Sequence, residues 1–159
     1  MTMTDATALP IMGLGLTFEE FELVRRFTTL GRTIGDVEIT MFVTLTGMTE
    51  ELFTNLEYAR SKSIIQGRLV PGALVYSVAE GLVIQASLQR RGLAFLDAEV
   101  KVLGPTIAGD TVHVDVEVIE ARTTRHADRG LVRTFNQVVN QRGDVVMTYN
   151  PLRMVKRGH

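Results

Sequence analysis

The fold is decided by residues 67–92, which read GRLVPGALVYSVAEGLVIQASLQRRG. Segment 73–88 of this stretch contains a single charged residue, Glu80. A run of that length favours a helix over a strand, and apolar residues on almost every side indicate burial all round. Pro71 and Gly72 come just before the run, where both residue types often begin a helix. We therefore predict a central helix that a sheet encloses.

The chain beyond this helix changes to an alternation of apolar and polar residues, which is typical of half-buried strands. Four segments show it: FLDAEVKVLG (95–104), DTVHVDVEVIEA (110–121), LVRTFNQVVNQ (131–141) and DVVMTYNPLRMVKR (144–157). Turns rich in Gly, Pro and Asp separate them. Four successive strands predict an antiparallel meander, and the central helix can cover its apolar face. The predicted fold class is therefore α+β.

Two shorter helices are predicted upstream of the central helix. Residues 33–47 read TIGDVEITMFVTLTG, in which Gly35 can act as the N-cap and Gly47 ends the helix. Asn55 is a favourable N-cap for the second short helix. We also predict a short strand within 22–31.

One domain accounts for the chain. Its 159 residues fit a single hydrophobic core, and no repeat or low-complexity tract divides them. Residues 1–17 carry Thr, Ala and Gly with no sustained period, so we predict a loose N-terminal arm. The domain is predicted to cover 18–159.

Composition argues against several classes of function. Cysteine is absent, so disulfides, zinc–thiolate sites and thiol nucleophiles are excluded. A net charge of −1 argues against nucleic acid as the main partner. The three histidines have no metal-binding spacing, so no metal site is predicted. No secretory signal or bilayer-spanning apolar run is visible, and we expect a cytoplasmic protein without a membrane partner.

Five blocks of the sequence together resemble the MaoC-like dehydratases, a family of the hot-dog fold that includes the (R)-specific enoyl-CoA hydratases. Between Phe18 and Lys156 the blocks are GRTIGDVEITMFVTLTG, EYARS, GRLVPGALVYSVAEGL, VKVLGPTIAGDTVHVDVEVIEAR and DRGLVRTFNQVVNQRGDVVM. The resemblance implies a five- or six-stranded antiparallel sheet curled around the long helix. It also implies that two such units pair edge to edge as a dimer.

The same resemblance implies a ligand. Members of the family bind acyl thioesters of CoA or of acyl carrier protein in a tunnel near the dimer interface, and they need no further cofactor. They hydrate the 2,3 double bond of the acyl group, or reverse that reaction.

The catalytic pair of that family is absent at the matching positions. The hydratases carry an Asp and a His in a segment like T-G-D-x-N-P-x-H-x-D. Here Thr46 and Gly47 match, but Met48 stands at the Asp position and Phe53 at the His position. Hydration needs one group to take a proton from water and another to give a proton to carbon, and neither side chain can do so. The resemblance therefore implies a thioester-binding protein that acts as a homodimer or partners a competent hot-dog subunit.

The binding residues implied by the resemblance surround the start of the central helix. A backbone N–H beside Gly72 would polarise the thioester carbonyl, because a helix N-terminus offers unpaired N–H groups and a positive dipole end. Pro71 and Gly72 can equally well serve only to start the helix. Ser77, Met48 and Phe53 complete the predicted substrate-binding set.

Two carboxylates are alternative catalytic candidates for a thioesterase or an atypical dehydratase. Glu80 lies in an apolar helix and is expected to point in a direction similar to Ser77 and Gly81, which suits a general base. A buried pair with an arginine, either Arg68 or a residue of a partner chain, explains this residue as well, since an unpaired buried charge is costly. Glu50 stands where the missing pair would lie, although neighbouring carboxylates on a loop are often solvated or begin a helix.

Two further interpretations remain open. Phe53 and Met48 can fill the tunnel, which would leave a dimerisation module without a ligand. The Arg-rich stretches LQRRG, ARTTRHADR and RMVKRGH can either meet CoA phosphates or face solvent.

Overall fold

A computed structural model describes residues 10–158 of the chain. The helices are α1 (Phe18–Val24), α2 (Asp36–Thr46), α3 (Glu51–Thr54), α4 (Leu56–Lys62) and α5 (Gly72–Ser87). The strands are β1 (Arg26–Thr28), β2 (Arg32–Thr33), β3 (Gly92–Asp97), β4 (Val100–Val102), β5 (Thr111–Thr123), β6 (Arg129–Asn140), β7 (Val145–Tyr149) and β8 (Leu152–Lys156).

The strands form one antiparallel sheet in which several short strands lie end to end. Strands β1 and β2 both pair with β5, and β5 pairs with β6. Strands β7 and β8 lie one after the other along β6, while β4 and β3 extend along β7 and β8 respectively. Pro151 marks the break between β7 and β8, because a proline cannot donate to the strand ladder. The predicted meander is confirmed for β5, β6 and the β7–β8 segment. It is wrong for segment 95–104, which contributes to β3 and β4 and lies beside β8 and β7 rather than beside β5.

Helix α5 lies against one face of this sheet and supplies much of the core. Its buried residues are Leu74, Val75, Val78, Ala79, Leu82, Val83 and Ser87. They pack with inward-facing valines of β5 and β6, including Val114, Val116 and Val138. Burial of each such side chain contributes about 1.5–3 kcal/mol. The predicted α+β arrangement is thus confirmed, with the helix at its centre.

The prediction that α5 is buried all round is wrong for one side. Ala73, Ser77 and Gly81 follow one another at intervals of one turn and are exposed. Ile84 on the neighbouring turn is 42% exposed. Apart from Ile84, the exposed residues named on this side have small or polar side chains.

The two helices predicted upstream have the expected ends. Gly35 precedes α2, and its N–H donates to the Glu38 carboxylate at 3.0 Å. Gly47 ends α2 in the left-handed conformation, with φ of 72°. The side chain of Asn55 accepts from the Tyr58 N–H at 3.0 Å and starts α4. The short strand predicted within 22–31 corresponds to β1.

Helix α1 was not predicted, although its start carries a sequence signal. The Thr17 hydroxyl accepts from the Glu20 N–H, and the Glu20 carboxylate accepts from the Thr17 N–H, which forms a capping box. Phe18 is buried against Gly130. A Cβ atom at residue 130 would overlap the Phe18 ring. These contacts attach α1 to the sheet.

The predicted N-terminal arm lies partly outside the described residues. Its residues 1–9 are among those that the structure does not describe. The Gly15 N–H donates to the Gln89 carbonyl and the Leu16 N–H to the Ser87 carbonyl, both at 2.8 Å. Contact with the end of α5 therefore begins before residue 18, and the domain boundary stays a prediction.

Candidate functional site

An apolar cavity lies at the N-terminus of the central helix. Its volume is about 360 Å³. Three chain segments line it: the approach to the helix and its first turn, the loop after β4, and β7. The lining residues are Ile65, Leu69, Val70, Gly72, Val75, Val102, Leu103, Gly104, Pro105, Thr106, Val146 and Met147.

The first turn of α5 presents backbone donors beside this cavity. Pro71 is the N-cap, and it provides no side-chain hydrogen bond to the helix. Its carbonyl accepts from the N–H groups of Leu74 and Val75 at 2.9 and 3.1 Å. The first N–H groups of a helix have no intrahelical partner, and the dipole places partial positive charge there. A carbonyl oxygen in the cavity is thus the type of group that Gly72 can stabilise.

Gly72 lines the cavity without a side chain. A Cβ atom at this position would lie 3.4 Å from a methyl group of Val102. A larger side chain would therefore enter the cavity or displace Val102. Of the predicted substrate-binding residues, Gly72 lines this cavity, and Pro71 precedes it as the N-cap of α5.

Arg68 links α2 and α3 to the segment before α5 by hydrogen bonds. Its guanidinium donates to the Asp36 carboxylate at 2.9 Å, to the Thr40 hydroxyl at 3.0 Å and to the Phe53 carbonyl at 3.3 Å. One planar side chain thus connects α2, α3 and the segment that leads into the cavity. Sequence reasoning offered Arg68 as a partner of Glu80, and that prediction is wrong.

Glu80 pairs with Arg153 instead. The Arg153 Nη2 donates to the Glu80 carboxylate at 2.5 Å, and the two side chains are 9% and 15% exposed. The Arg153 guanidinium also lies 5.3 Å from the centre of the Phe95 ring. The expectation of a buried glutamate with an arginine partner is confirmed, with the partner on β8. Glu80 therefore points to the sheet.

Ser77 and Gly81 do not share the direction of Glu80. Both line an outer groove of about 740 Å³ between α2 and α5, together with Met41, Leu45 and Leu74. The Ser77 hydroxyl donates to the Ala73 carbonyl at 2.8 Å. The structure therefore separates Ser77 from the cavity at Gly72.

Buried polar side chains surround the Glu80–Arg153 pair. Asn136 is fully buried on β6, opposite Tyr149 on β7. The Tyr149 hydroxyl lies beside Glu80 and Asn136, and burial, more than the nearby carboxylate, raises its pKa well above the usual range. Within residues 10–158, this hydroxyl and both polar atoms of the Asn136 amide make no hydrogen bond of good geometry.

Tyr76 completes this inner polar cluster, which we define as Tyr76, Glu80, Asn136, Tyr149 and Arg153. The rings of Tyr76 and Tyr149 meet edge to face, with centroids 5.2 Å apart. Burial, followed by the negative charge of Glu80, raises the pKa of Tyr76. Alternation along β6 places Asn136 on the inward face, but the sequence contains no signal that would join it to Glu80.

The residues at the positions of the missing catalytic pair lie elsewhere. Glu50 is exposed, and its carboxylate accepts from the Leu52 N–H at 2.8 Å as the N-cap of α3. Met48 is 37% exposed between α2 and α3. Phe53 is partly buried and packs against the core. The structure therefore does not bring Glu50, Met48 or Glu80 to the cavity at Gly72.

The chemistry available at the cavity is binding and polarisation. Its lining offers apolar side chains, the side chain of Thr106 and backbone groups, and none of its residues titrates near neutral pH. Within residues 10–158 no cluster of three or more His, Asp or Glu could hold a metal ion. Among the helices that the structure describes, none has the length and apolar character needed to cross a bilayer.

Several solved structures have the same fold. The monoamine oxidase regulatory protein of Archaeoglobus fulgidus is 28% identical with a TM-score of 0.80, and the match covers 94% of this chain and 100% of that one. A MaoC domain dehydratase of Chloroflexus aurantiacus is 22% identical with a TM-score of 0.86, over 95% of this chain and 43% of the other. The (R)-hydratase PhaJ1 of Pseudomonas aeruginosa is 19% identical with a TM-score of 0.76, over 91% and 88%. No family model and no curated protein sequence matches the chain.

The chain therefore has the hot-dog fold of the MaoC-like dehydratases and (R)-hydratases. The resemblance seen in five blocks of its sequence is confirmed at the level of the fold. The assignment of Met48 and Phe53 to the catalytic positions stays a prediction from the sequence.

Proposed function

We propose that this protein binds an acyl thioester, of CoA or of a carrier protein, at the N-terminus of its central helix and does not hydrate it by the usual Asp and His pair. The observation that carries the proposal is the apolar cavity of about 360 Å³ beside the uncapped first turn at Gly72. The thioester carbonyl accepts from the first N–H groups of α5, and the acyl group occupies the apolar space.

The alternative of an active thioester enzyme is less well supported by the positions of its candidate bases. Glu80 is held by Arg153 inside the polar cluster, and Glu50 caps α3. A general base must come within hydrogen-bond reach of the proton that it takes. Neither carboxylate lines the cavity that contains Gly72.

The proposal includes a second subunit. Every residue of β3 is exposed, and its outer edge has no strand partner within residues 10–158. An exposed apolar edge strand is a template for pairing with another chain. A second copy of this chain or a catalytically competent hot-dog subunit fits that edge, and in the second case this protein supplies binding while its partner supplies the chemistry. A cytoplasmic location stays a prediction from the sequence.

The test measures binding and turnover in parallel on the purified protein. Crotonyl-CoA, butyryl-CoA and free CoA are added while thermal unfolding, hydration and thiol release are followed. We expect stabilisation by the acyl thioesters, about 2.7 kcal/mol at a concentration 100 times Kd, with neither hydration nor thiol release. Rapid hydration of crotonyl-CoA would contradict the proposed loss of the pair, and absence of any stabilisation would contradict binding.

A matched pair of glycine variants locates the site. Gly72→Leu fills the cavity from its mouth and is expected to remove the stabilisation by butyryl-CoA. Gly81→Leu lies on the same helix, with no neighbouring atom within 4 Å of its Cβ position, and is expected to keep that stabilisation. The opposite result would place the ligand in the outer groove.

A further inference from the structure

Thr106 brings a polar side chain to the apolar cavity at Gly72. It lies in the loop after β4 and is 3% exposed. The other side chains that line the cavity within residues 10–158 are apolar. The Thr106 carbonyl accepts from the Val70 N–H at 2.8 Å, and this bond holds the loop beside the segment that leads into α5. Thr106 therefore has a fixed place close to the first turn of the helix.

The hydroxyl of Thr106 is available to a ligand. Within residues 10–158 it makes no hydrogen bond, and it is not closed off in the core as the Thr134 hydroxyl is. The cavity is the space that this nearly buried side chain faces. A hydroxyl can both donate and accept hydrogen bonds, and most buried polar groups in proteins have a partner. A polar group in the cavity is thus the partner that this hydroxyl requires.

This requirement favours one kind of acyl group. Any acyl group that enters the cavity displaces the water that can satisfy the Thr106 hydroxyl. A plain hydrocarbon chain leaves the hydroxyl unpaired, which is unfavourable, whereas a hydroxyl or keto oxygen on the chain restores the hydrogen bond. Sites built to hydrogen-bond a polar group of a substrate discriminate strongly against an analogue that lacks it.

The oxygen that bonds to Thr106 belongs near the thioester end of the acyl group. In the proposed binding mode the thioester carbonyl accepts from the first N–H groups of α5. Thr106 pairs with Val70, which precedes Gly72 by two residues, so the hydroxyl and these N–H groups lie on neighbouring parts of the cavity wall. An oxygen on carbon 2 or carbon 3 is one or two bonds from the thioester carbon and can face the neighbouring part.

We infer that Thr106 determines specificity in this cavity, and that the protein selects thioesters whose acyl group carries a hydroxyl or keto oxygen near the thioester. This inference rests on the proposed function and names its substrate class. Thr106 binds the substituent, and the first turn of α5 binds the thioester carbonyl.

Calorimetric titration with thioesters of equal chain length tests the inference. Butyryl-CoA, 2-hydroxybutyryl-CoA, 3-hydroxybutyryl-CoA, acetoacetyl-CoA and free CoA are titrated into the full chain. We expect at least one of the three oxygenated thioesters to bind at least tenfold more tightly than butyryl-CoA. If butyryl-CoA binds as tightly as all three, the selectivity is overturned and the proposed function stands. If no thioester binds more tightly than free CoA, the proposed function itself fails, and the inference with it.

A variant that removes only the hydroxyl tests the role of Thr106. Thr106→Val replaces the hydroxyl with a methyl group of similar size. We expect the preferred oxygenated thioester to bind at least tenfold more weakly to it, while butyryl-CoA binds at least as tightly as to the wild type. A merely structural role would weaken both ligands alike, so that result, or an unchanged preference, would overturn the assignment.

The matched control is Thr148→Val. Thr148 is half-buried on β7 and lies outside the cavity lining, so its substitution should leave the affinities for all the thioesters unchanged. If Thr106→Val does not fold, Thr106→Ala replaces it with the same expected loss of preference.

Discussion

The Arg153 guanidinium places a positive charge between the central helix and the sheet, and the negative Glu80 carboxylate balances it. The side chains are only 9% and 15% exposed, so neither charge is well solvated. Removal of one partner from a buried pair costs more than the pair itself contributes to stability, because the other charge stays behind. The pair is therefore a structural constraint on α5 and β8.

We expect Glu80→Gln to lower the free energy of unfolding by about 3 kcal/mol, measured by urea denaturation. Glu117→Gln is the matched control, since Glu117 is half-exposed and lies 3.8 Å from the exposed Arg26; its change should stay below about 0.5 kcal/mol. If Glu80→Gln were as stable as the wild type, the pair would not be a constraint on the fold, and a role for Glu80 as a base would gain support.

Asp110 makes the stability of the fold depend on pH in the acidic range. Its carboxylate accepts from the Ile107 N–H, from Gln141 and from Arg142. Desolvation is the largest single influence and raises the pKa, but the hydrogen bonds from Arg142, Ile107 and Gln141 together hold the pKa of Asp110 below its usual value. The folded-state pKa is thus lower than the unfolded one, so this contribution to stability is present above about pH 4 and is lost as the pH falls through the folded pKa.

We expect Asp110→Asn to be about 1–3 kcal/mol less stable than the wild type at pH 7, with the difference shrinking below about pH 4. Urea unfolding at a series of pH values measures it. The exposed Asp115, as Asp115→Asn, should show no comparable difference at pH 7. A constant difference across the whole series would indicate that packing, rather than charge, explains the effect.

At the scale of the elements, Arg68 decides how α2 and α3 sit on the start of the central helix. Its planar fork reaches groups on both helices, and lysine cannot form the same set of hydrogen bonds.

We expect Arg68→Lys to lower the free energy of unfolding by about 1–3 kcal/mol and to weaken butyryl-CoA binding, since the same segment lines the cavity. Arg60→Lys, in an exposed pair with Glu57 on α4, should change both quantities little. Equal effects of the two substitutions would contradict this role of Arg68.

The long elements followed from local patterns, and the elements that depend on distant contacts did not. Segment 73–88 predicted α5, the alternating segments predicted the strands, and Gly35 and Gly47 marked the ends of α2. The place of β3 and β4 beside β8 and β7 was not predicted. Helix α1 was missed because its short capping box lies in a stretch with no long apolar period. The break that divides β3 from β4 depends on the partner strands, which the local pattern does not show. The break between β7 and β8 has a local signal in Pro151, which the alternation alone did not reveal.

Only the part of the candidate site that the main chain forms could be predicted from the sequence. Pro71 and Gly72 mark a helix start in sequence, and that start lies at the cavity. Side chains that meet between the helix and the sheet were not predictable, since Arg153 is 73 positions from Glu80 along the chain. The predicted direction of the Ser77 side chain was wrong because the sequence alone does not show which side of α5 faces the sheet.

At the scale of the whole molecule, β3 presents three large apolar side chains beside its unpaired outer edge. Leu93, Phe95 and Leu96 are each between 43% and 48% exposed on this strand. Pairing with a second chain would bury them and satisfy the free edge. This edge is therefore the proposed subunit interface.

We expect Leu96→Lys to shift the protein toward monomer, because charge on an edge strand disfavours pairing. Light scattering coupled to size-exclusion chromatography measures the mass. Leu30→Lys introduces the same charge at a residue that is 83% exposed in the loop after β1, and it should leave the mass unchanged. A wild-type monomer across micromolar concentrations would rule out the homodimer.

The contact between Glu19 and Arg157 joins residues 138 positions apart. Strands β5 and β6, by contrast, pair through a short turn, and loop closure of that kind is entropically cheap. Contacts of this sequence separation raise the mean contact order, and a high contact order slows folding. We therefore expect β5 and β6 to pair before helix α1 closes onto the sheet.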